Sequence, residues 1–153
     1  MKRNLQPKDE QLNRVAPNPR VSFQLNEDLR DWSAEAECRK AKLQRQIIQH
    51  YLQNFDDEEL RLELHLAESK ESYGDDQNQT GTWLQMTRIS KEDLAAIRLR
   101  ADALDLSRTN MIRLMMQAAV KRWKKAKRIQ LNSLIKGDRH ERYYQTPKTP
   151  NPD

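Results

Sequence analysis

Cysteine and glycine are scarce in this chain, and each scarcity excludes classes of protein. Only one of the 153 residues is cysteine, Cys38, which excludes a disulfide framework and a zinc site built from cysteines. Three glycines are too few for the turns of a β-sandwich, a dinucleotide-binding fold or a phosphate-binding loop. With 36% hydrophobic and 33% charged residues, the composition favours a small helical core with polar extensions over one large core.

Long apolar runs are also missing. No run approaches the roughly 18–20 residues that span a bilayer, and Met1–Pro7 lacks the apolar stretch of a secretory signal. The sequence therefore predicts a cytoplasmic protein with no membrane partner. Its histidines, His50, His65 and His140, have no metal-ligand spacing, and there is no nucleophile motif. We expect no catalytic residue, no metal site and no cofactor, and therefore no enzyme.

Charge is distributed unevenly along the chain. Residues 1–81 hold 12 basic and 16 acidic side chains, a net −4, whereas residues 82–153 hold 16 basic and 7 acidic, a net +9. Ser107–Lys136 carries nine basic residues and no acidic one, with its core at Lys121–Arg128. Such a run is typical of polyanion binding that weakens steeply with salt. The alternatives are a solvated helix face, or neutralisation of the acidic segment 56–76 of the same or another chain. An amphipathic membrane helix is a weaker alternative, because few bulky apolar residues accompany the lysines.

Polar and proline-rich stretches divide the chain into segments. Residues 1–19 and 146–153 are predicted as a disordered arm and a disordered tail. Residues 56–81 are predicted as an acidic helix and linker, and residues 124–145 as a basic helical extension. Two segments with a buried-core pattern remain, 20–55 and 82–123.

The two segments share an order of strand, helix, helix. In the first, Val21–Leu25 alternates as a strand does, and Asn26 is predicted as the helix N-cap. In the second, Trp83–Ile89 is the strand candidate, and Ser90 and Ser107 are predicted as N-caps. An alignment of Asn26 with Ser90 also brings Ile48 onto Ile112 without a gap, because both pairs have the same offset in sequence number, 64. The agreement indicates an internal repeat.

The best-defined motif is Ile89-Ser90-Lys91-Glu92-Asp93-Leu94, followed by Leu106-Ser107-Arg108-Thr109-Asn110-Met111-Ile112-Arg113. It resembles the ribbon-helix-helix family of the Arc, MetJ and CopG type, and Arg20–Leu29 with Leu43–Ile48 resembles a second copy. The copies depart from the family at the turn between the helices. There the second copy has Asp105, which tolerates a left-handed conformation, but the first has Ala41 and lacks the serine cap.

The resemblance implies a mainly α fold with a short antiparallel β-ribbon, present as tandem ribbon-helix-helix repeats with disordered termini. About 45 residues bury too little apolar surface to fold alone. The family solves this by dimerising, so the copies pair either within one chain or with a second chain.

The resemblance also implies sequence-specific binding of double-stranded DNA, with the outer face of the ribbon in the major groove and helix N-termini on phosphates. The candidates for base contacts are Arg20, Ser22, Gln24, Gln85, Thr87 and Arg88. The candidates for phosphate contacts are Ser107, Arg108, Thr109, Lys40, Lys42, Lys121, Arg122, Lys124 and Lys125. The orientation of the second strand stays open. Alignment places Thr87 and Ile89 inward and Met86 and Arg88 outward, whereas polarity places Leu84 and Met86 inward and Gln85 and Thr87 outward.

Three functions are therefore compatible with the sequence. The first is a transcriptional repressor or regulator, in a plasmid or phage setting by family analogy. The second is an antitoxin-like or adaptor module that binds a protein partner through residues 56–76. The third is non-specific nucleic-acid binding through the basic helix.

Overall fold

The computed structural model describes residues 12–68 and 81–143. The described residues are mainly helical, with a small antiparallel pairing of short strands. In chain order the elements are β1 (Arg14–Val15), β2 (Arg20–Val21), α1 (Phe23–Glu35), α2 (Lys40–Asn54), α3 (Asp57–Ala67), β3 (Thr82–Trp83), β4 (Arg88–Ile89), α4 (Lys91–Leu104) and α5 (Arg108–Tyr143). One compact unit ends at Val120, and the chain from Lys121 onward forms a second.

The strands pair across a long sequence distance within the one chain. β1 pairs with β4 and β2 pairs with β3, both antiparallel. Two backbone hydrogen bonds lie between the two ladders and continue their pairing. Ala16 N–H donates to the Thr87 carbonyl at 2.9 Å, and Leu84 N–H donates to the Pro19 carbonyl at 3.0 Å. The two ladders therefore lie along one two-stranded stretch, which we call the ribbon.

The ribbon consists of residues 14–21 opposite residues 82–89. Pro17 and Pro19 have no N–H to donate, which interrupts the ladder near its middle. The prediction of a disordered arm over residues 1–19 is wrong for residues 12–19, where β1 forms and Ala16 and Pro19 are buried. Pairing with distant residues orders this stretch despite its prolines. The predictions for residues 1–11, 69–80 and 144–153 lie outside the described residues.

The first strand is shorter than predicted. It ends at Val21, and Ser22 is the N-cap of α1, where its Oγ accepts a hydrogen bond from the Leu25 N–H at 3.0 Å. Asn26, predicted as this cap, lies inside the helix. The alternation of Val21–Leu25 also fits a helix that begins after Ser22, since Leu25 and Leu29 are buried at helical spacing.

The helix starts and the interhelical turn of the second segment are as predicted. Ser90 caps α4, accepting from the Asp93 N–H at 2.9 Å, and Glu92 and Asp93 lie in the first turn. Asp105 takes the left-handed conformation at the end of α4, with φ 57 and ψ 45. Ser107 Oγ accepts from the Asn110 N–H at 3.1 Å at the start of α5. These caps satisfy amides that a helix start leaves without an intrahelical partner.

Strand starts, helix N-caps and left-handed turn residues of the two segments differ by 68 in sequence number. The predicted offset of 64 therefore aligns the two segments incorrectly, by four residues. The larger offset relates the start of β2, Arg20, to the start of β4, Arg88, and it equally relates the starts of β1 and β3. Three further pairs share it: the N-caps Ser22 and Ser90, the positive-φ residues Glu37 and Asp105, and the first residues of α2 and α5, Lys40 and Arg108. The left-handed turn of the first segment is thus Glu37, not Ala41.

Helix α3 belongs to the same core. Asp56 and Glu59 form a capping box at its start, and Leu60 and Leu64 are buried. Tyr51 Oη donates to Glu63 Oε2 at 2.9 Å in a buried hydrogen bond between α2 and α3. The predicted acidic helix therefore exists, as a separate helix packed on the core.

Two arginines join α3 and α4 to the ends of neighbouring helices. Arg100 of α4 donates to the carbonyls of Leu52 and Phe55, at 3.2 and 2.7 Å, where α2 ends. Arg61 of α3 donates to the Ala103 carbonyl at 3.0 Å, where α4 ends. Each guanidinium supplies donors to carbonyls that a helix C-terminus leaves unpaired.

Gly81 is packed too closely against the ribbon to carry a side chain. A Cβ at this position would lie 2.3 Å from the Val21 carbonyl oxygen and 2.9 Å from its carbon, both backbone atoms. We expect Gly81→Ala to lower the free energy of unfolding by about 1–3 kcal/mol, as overpacking does. Met86→Ala, at an exposed position of the ribbon, should change it by less than about 0.5 kcal/mol in the same urea titration. Equal values for the two variants would contradict this placement of Gly81.

Candidate nucleic-acid interface

One face of the ribbon is covered by the helices and the other is exposed. The covered face includes Val21, Leu84 and Ile89, at 0%, 4% and 0% exposure. The exposed face carries Val15, Arg20, Trp83, Gln85, Met86 and Arg88, and Arg14, opposite the buried Ile89, is exposed at the end of the ribbon. Large side chains that remain accessible on a sheet surface of this kind are available to a partner.

The alternation of the second strand slips between Gln85 and Met86, which are both exposed. Before the slip, polarity predicted the faces of Leu84 and Gln85 correctly. After it, the family alignment predicted the faces of Met86, Thr87 and Arg88 correctly. The alignment is therefore confirmed at the residues to which it gave a face, whereas polarity is wrong for Met86 and Thr87.

A buried glutamine holds the strand at the slip. The Gln44 side chain is fully buried, and its Nε2 donates to the Gln85 carbonyl at 2.8 Å and to Thr87 Oγ1 at 2.6 Å. Thr87 Oγ1 in turn donates to the Gln85 carbonyl at 3.1 Å. Because these bonds satisfy a backbone carbonyl that leaves the ladder, they fix which side chains point outward.

Arg20 is oriented on the exposed face. Its guanidinium carbon lies 5.3 Å from the centroid of the Trp83 ring, and its Nη2 donates to the Gly81 carbonyl at 3.2 Å. Trp83, directly opposite Arg20 in the register, is 60% exposed. Stacking on an aromatic ring and one hydrogen bond limit the rotamers of the arginine while part of its donor fork stays accessible.

A cleft of about 600 Å³ lies beside Arg20 and Trp83. Its lining comes from the ribbon and from the first turns of α5, namely Asn18, Pro19, Arg20, Trp83, Ser107, Thr109, Asn110 and Arg113. The amides at a helix N-terminus and the helix dipole favour an anion there. The cleft thus brings a helix start, two arginines and hydroxyl side chains to the edge of the exposed ribbon face.

Arg113 supplies charge inside this cleft. Its guanidinium donates to Asn110 Oδ1. Burial lowers the pKa of Arg113, and the carboxylate of Glu68 acts in the opposite direction. An arginine keeps its proton near neutral pH despite such a shift, so the half-buried group remains a cation.

The corresponding helix start in the first segment is built differently. Arg39 occupies the cap position of α2 and makes no side-chain cap hydrogen bond. The ammonium of Lys40 donates to Asn26 Oδ1. Burial is the main cause that lowers the pKa of Lys40; Arg30 lowers it too and Glu27 raises it. Lys42 is exposed. The predicted absence of a serine or threonine cap at this helix is confirmed.

The structure separates the predicted base-contact residues into two groups. Arg20, Gln85 and Arg88 lie on the exposed face of the ribbon. Ser22, Thr87 and Gln24 do not: Ser22 and Thr87 are each 3% exposed. Gln24 lies in α1 and donates to Asp28. The placement of these three residues on the outer face is therefore wrong.

The predicted phosphate-contact residues also separate. Ser107 and Thr109 line the cleft, and Arg108 is exposed between them. Sequence reasoning missed Trp83, Asn18, Asn110 and Arg113, although Asn110 and Arg113 lie within the motif that resembles the family. Only the pairing of distant strands shows that Trp83 stands opposite Arg20.

The remaining predicted phosphate contacts, Lys121, Arg122, Lys124 and Lys125, lie on the part of α5 within the second compact unit. Lys127 Nζ lies 4.7 Å from the Trp123 ring centroid in the same stretch. The segment is helical as predicted, although the helix begins at Arg108 and is continuous through the expected boundary at residue 124.

No helix among the described residues is long and apolar enough to cross a membrane. Within the same residues, no three histidine, cysteine or acidic side chains are grouped as metal ligands would be. Comparison of the chain with protein-family models, with curated proteins and with solved structures found no match.

Proposed function

We propose that the chain is a sequence-specific double-stranded DNA-binding protein that regulates transcription and reads the major groove with its ribbon. The observation that carries the proposal is the exposed face of the ribbon, which presents Arg20 and Arg88 at corresponding positions of two antiparallel strands. The major groove admits a two-stranded ribbon, and arginine forms a bidentate pair with guanine.

The constant offset between the landmarks of the two segments supports tandem ribbon-helix-helix copies that pair within one chain. In this interpretation the two strands of each copy exchange partners, since β1 pairs with β4 and β2 with β3. One chain then supplies the complete ribbon that the family assembles from two. We accordingly propose that a monomer suffices for binding DNA.

The cleft supports a phosphate contact next to the ribbon. Ser107 and Thr109 offer hydroxyls and helix amides, and Arg113 offers a charged donor. Phosphate contacts of this type position a protein on the duplex, while the ribbon specifies the sequence. In this proposal the start of α5 positions the protein on the phosphates and the neighbouring ribbon reads the bases.

Ser107→Ala and Ser90→Ala form a matched pair that tests the cleft. Both remove a serine cap hydrogen bond, so each should cost about 1 kcal/mol of stability. Of the two serines only Ser107 lines the cleft, so Ser107→Ala should also lower DNA affinity by roughly 0.5–1.5 kcal/mol, about twofold to tenfold. Equal affinities of the two folded variants, measured by fluorescence anisotropy, would contradict the phosphate contact.

The basic part of α5 adds affinity without specificity in this proposal. We expect Lys124→Gln with Lys125→Gln to weaken binding to specific and random duplexes by the same factor. The slope of log K against log salt should become shallower by roughly 0.9 for each phosphate that the variant no longer neutralises. A weakening confined to the specific duplex would show instead that this stretch reads bases.

Helix α3 favours a second candidate function, a protein-binding module. Leu62 and Leu66 are 60% and 52% exposed on a helix whose first turn holds Asp57, Glu58 and Glu59. An apolar pair beside acidic side chains suits a basic partner segment. An antitoxin-like protein would use this surface in addition to the ribbon.

Selection of random duplex DNA by the purified chain at physiological salt tests the proposal. A recovered motif with guanines in inverted orientation supports reading by Arg20 and Arg88. Sequence-blind binding that disappears with salt would favour non-specific attraction through α5. Absence of binding at any salt would favour the protein-binding module.

A further inference from the structure

The two ends of the ribbon carry one identical residue and several different ones. The offset that relates β2 to β4 places Arg20 in correspondence with Arg88. The same offset relates Val15 to Trp83, Pro17 to Gln85 and Asn18 to Met86. An approximate two-fold axis through the middle of the ribbon therefore relates Arg20 to Arg88. It relates no other pair of identical exposed side chains.

The chemistry around the two arginines differs accordingly. Arg20 is opposite Trp83 and its guanidinium stacks on that ring, whereas Arg88 is opposite Val15. Trp83 is 60% exposed and offers a broad apolar surface and an indole N–H, while Val15 is 45% exposed and offers methyl groups alone. Apolar surface favours the thymine methyl, and a donor favours a base acceptor, so these positions prefer different base pairs.

The helix starts add a second, independent difference. Ser107 and Thr109 line the cleft beside Arg20. The corresponding residues of the first segment are Arg39 and Ala41, and Arg39 makes no cap hydrogen bond. A hydroxyl and amide site in one copy is therefore replaced by a long charged side chain in the other, which changes how each end fits the phosphates.

We infer that the DNA site of this chain is an imperfect inverted repeat, with two guanines related by the ribbon axis and unlike base pairs around them, so that the protein binds in one fixed orientation. The inference rests on the proposed function. Trp83 is the residue that specifies the orientation, because it is the largest exposed side chain of the ribbon and corresponds to a valine at the other end.

The test uses the motif recovered by selection and three duplexes. One is the recovered site, one is a perfect palindrome of the half facing Arg20 and Trp83, and one is a perfect palindrome of the half facing Arg88 and Val15. The wild-type chain should bind the recovered site about tenfold or more above either palindrome, since each mismatched base pair weakens binding by about that order.

Two variants test whether Trp83 causes the preference among the three duplexes. Trp83→Val gives both ends a valine opposite the arginine and should shift preference about tenfold toward the palindrome of the Arg88 half. Val15→Trp should shift it toward the other palindrome. Phe23→Val, which removes an exposed aromatic ring outside the ribbon, should leave the preference unchanged.

The outcomes separate the inference from the function on which it rests. A perfectly palindromic motif, or unchanged preferences in both variants, would overturn the fixed orientation and leave DNA reading intact. Recovery of no motif would overturn the proposed function and the inference together.

Discussion

Replacing Arg20 or Arg88 by alanine is expected to lower the affinity for the selected DNA site by roughly 5-fold to 150-fold each. A bidentate arginine–guanine pair contributes about 1–3 kcal/mol of discrimination, and both side chains lie on the exposed face of the ribbon. Affinity for random duplex should fall far less, because it depends on phosphate contacts. Competition binding of labelled specific and random duplexes measures both losses.

Arg98→Ala is the matched control for these variants. Arg98 is also an exposed arginine, but it lies on α4 and outside the ribbon and cleft. Its replacement removes the same charge, so it corrects for the general electrostatic contribution. Equal losses on specific and random DNA for Arg20→Ala and Arg88→Ala would mean that neither arginine reads a base.

The largest loss of stability is expected for Ile97→Ala, at about 2–5 kcal/mol. Ile97 is 0% exposed in α4, and removing a buried isoleucine side chain loses its transfer free energy and leaves a cavity. A small domain has a total stability of only about 5–15 kcal/mol, so the variant should unfold at a markedly lower urea concentration. Loss of DNA binding should follow unfolding.

Leu99→Ala, in the same helix α4, is the control that removes an aliphatic side chain from an exposed position instead of a buried one. Leu99 is 72% exposed, so its truncation should change the free energy of unfolding by less than about 0.5 kcal/mol. Urea titrations followed by circular dichroism compare the two variants directly. Similar midpoints for Ile97→Ala and Leu99→Ala would contradict the orientation of α4.

Local signals predicted the helix caps and the interhelical turn of the second segment correctly. Ser90 and Ser107 are caps, and Asp105 takes the left-handed turn, because each depends on interactions within a few residues. The strand predicted over Val21–Leu25 was wrong because this stretch fits both the strand period and the helix period. Ser22 favours the helix over the strand, because its hydroxyl oxygen accepts a hydrogen bond from the Leu25 N–H and caps the helix.

The rest of the candidate interface depends on pairing between residues far apart. Nothing near Arg14 indicates that it pairs with Ile89, or that Gln44 reaches Gln85 and Thr87. Such contacts decide which side chains of the strand are buried, and so they decided between the two predicted orientations. Arg20, Gln85 and Arg88 were predicted correctly as exposed because charge and polarity already favour that face.

The most direct test of base reading by the ribbon replaces each guanine of the recovered inverted pair by 7-deazaguanine, which lacks the N7 acceptor in the major groove. The wild-type chain should lose roughly tenfold in affinity at each replaced guanine. Arg20→Ala should lose no further affinity at one of the two positions, and Arg88→Ala none at the other. Unchanged affinity of the wild-type chain for the doubly replaced duplex would contradict the central claim that the ribbon reads the major groove.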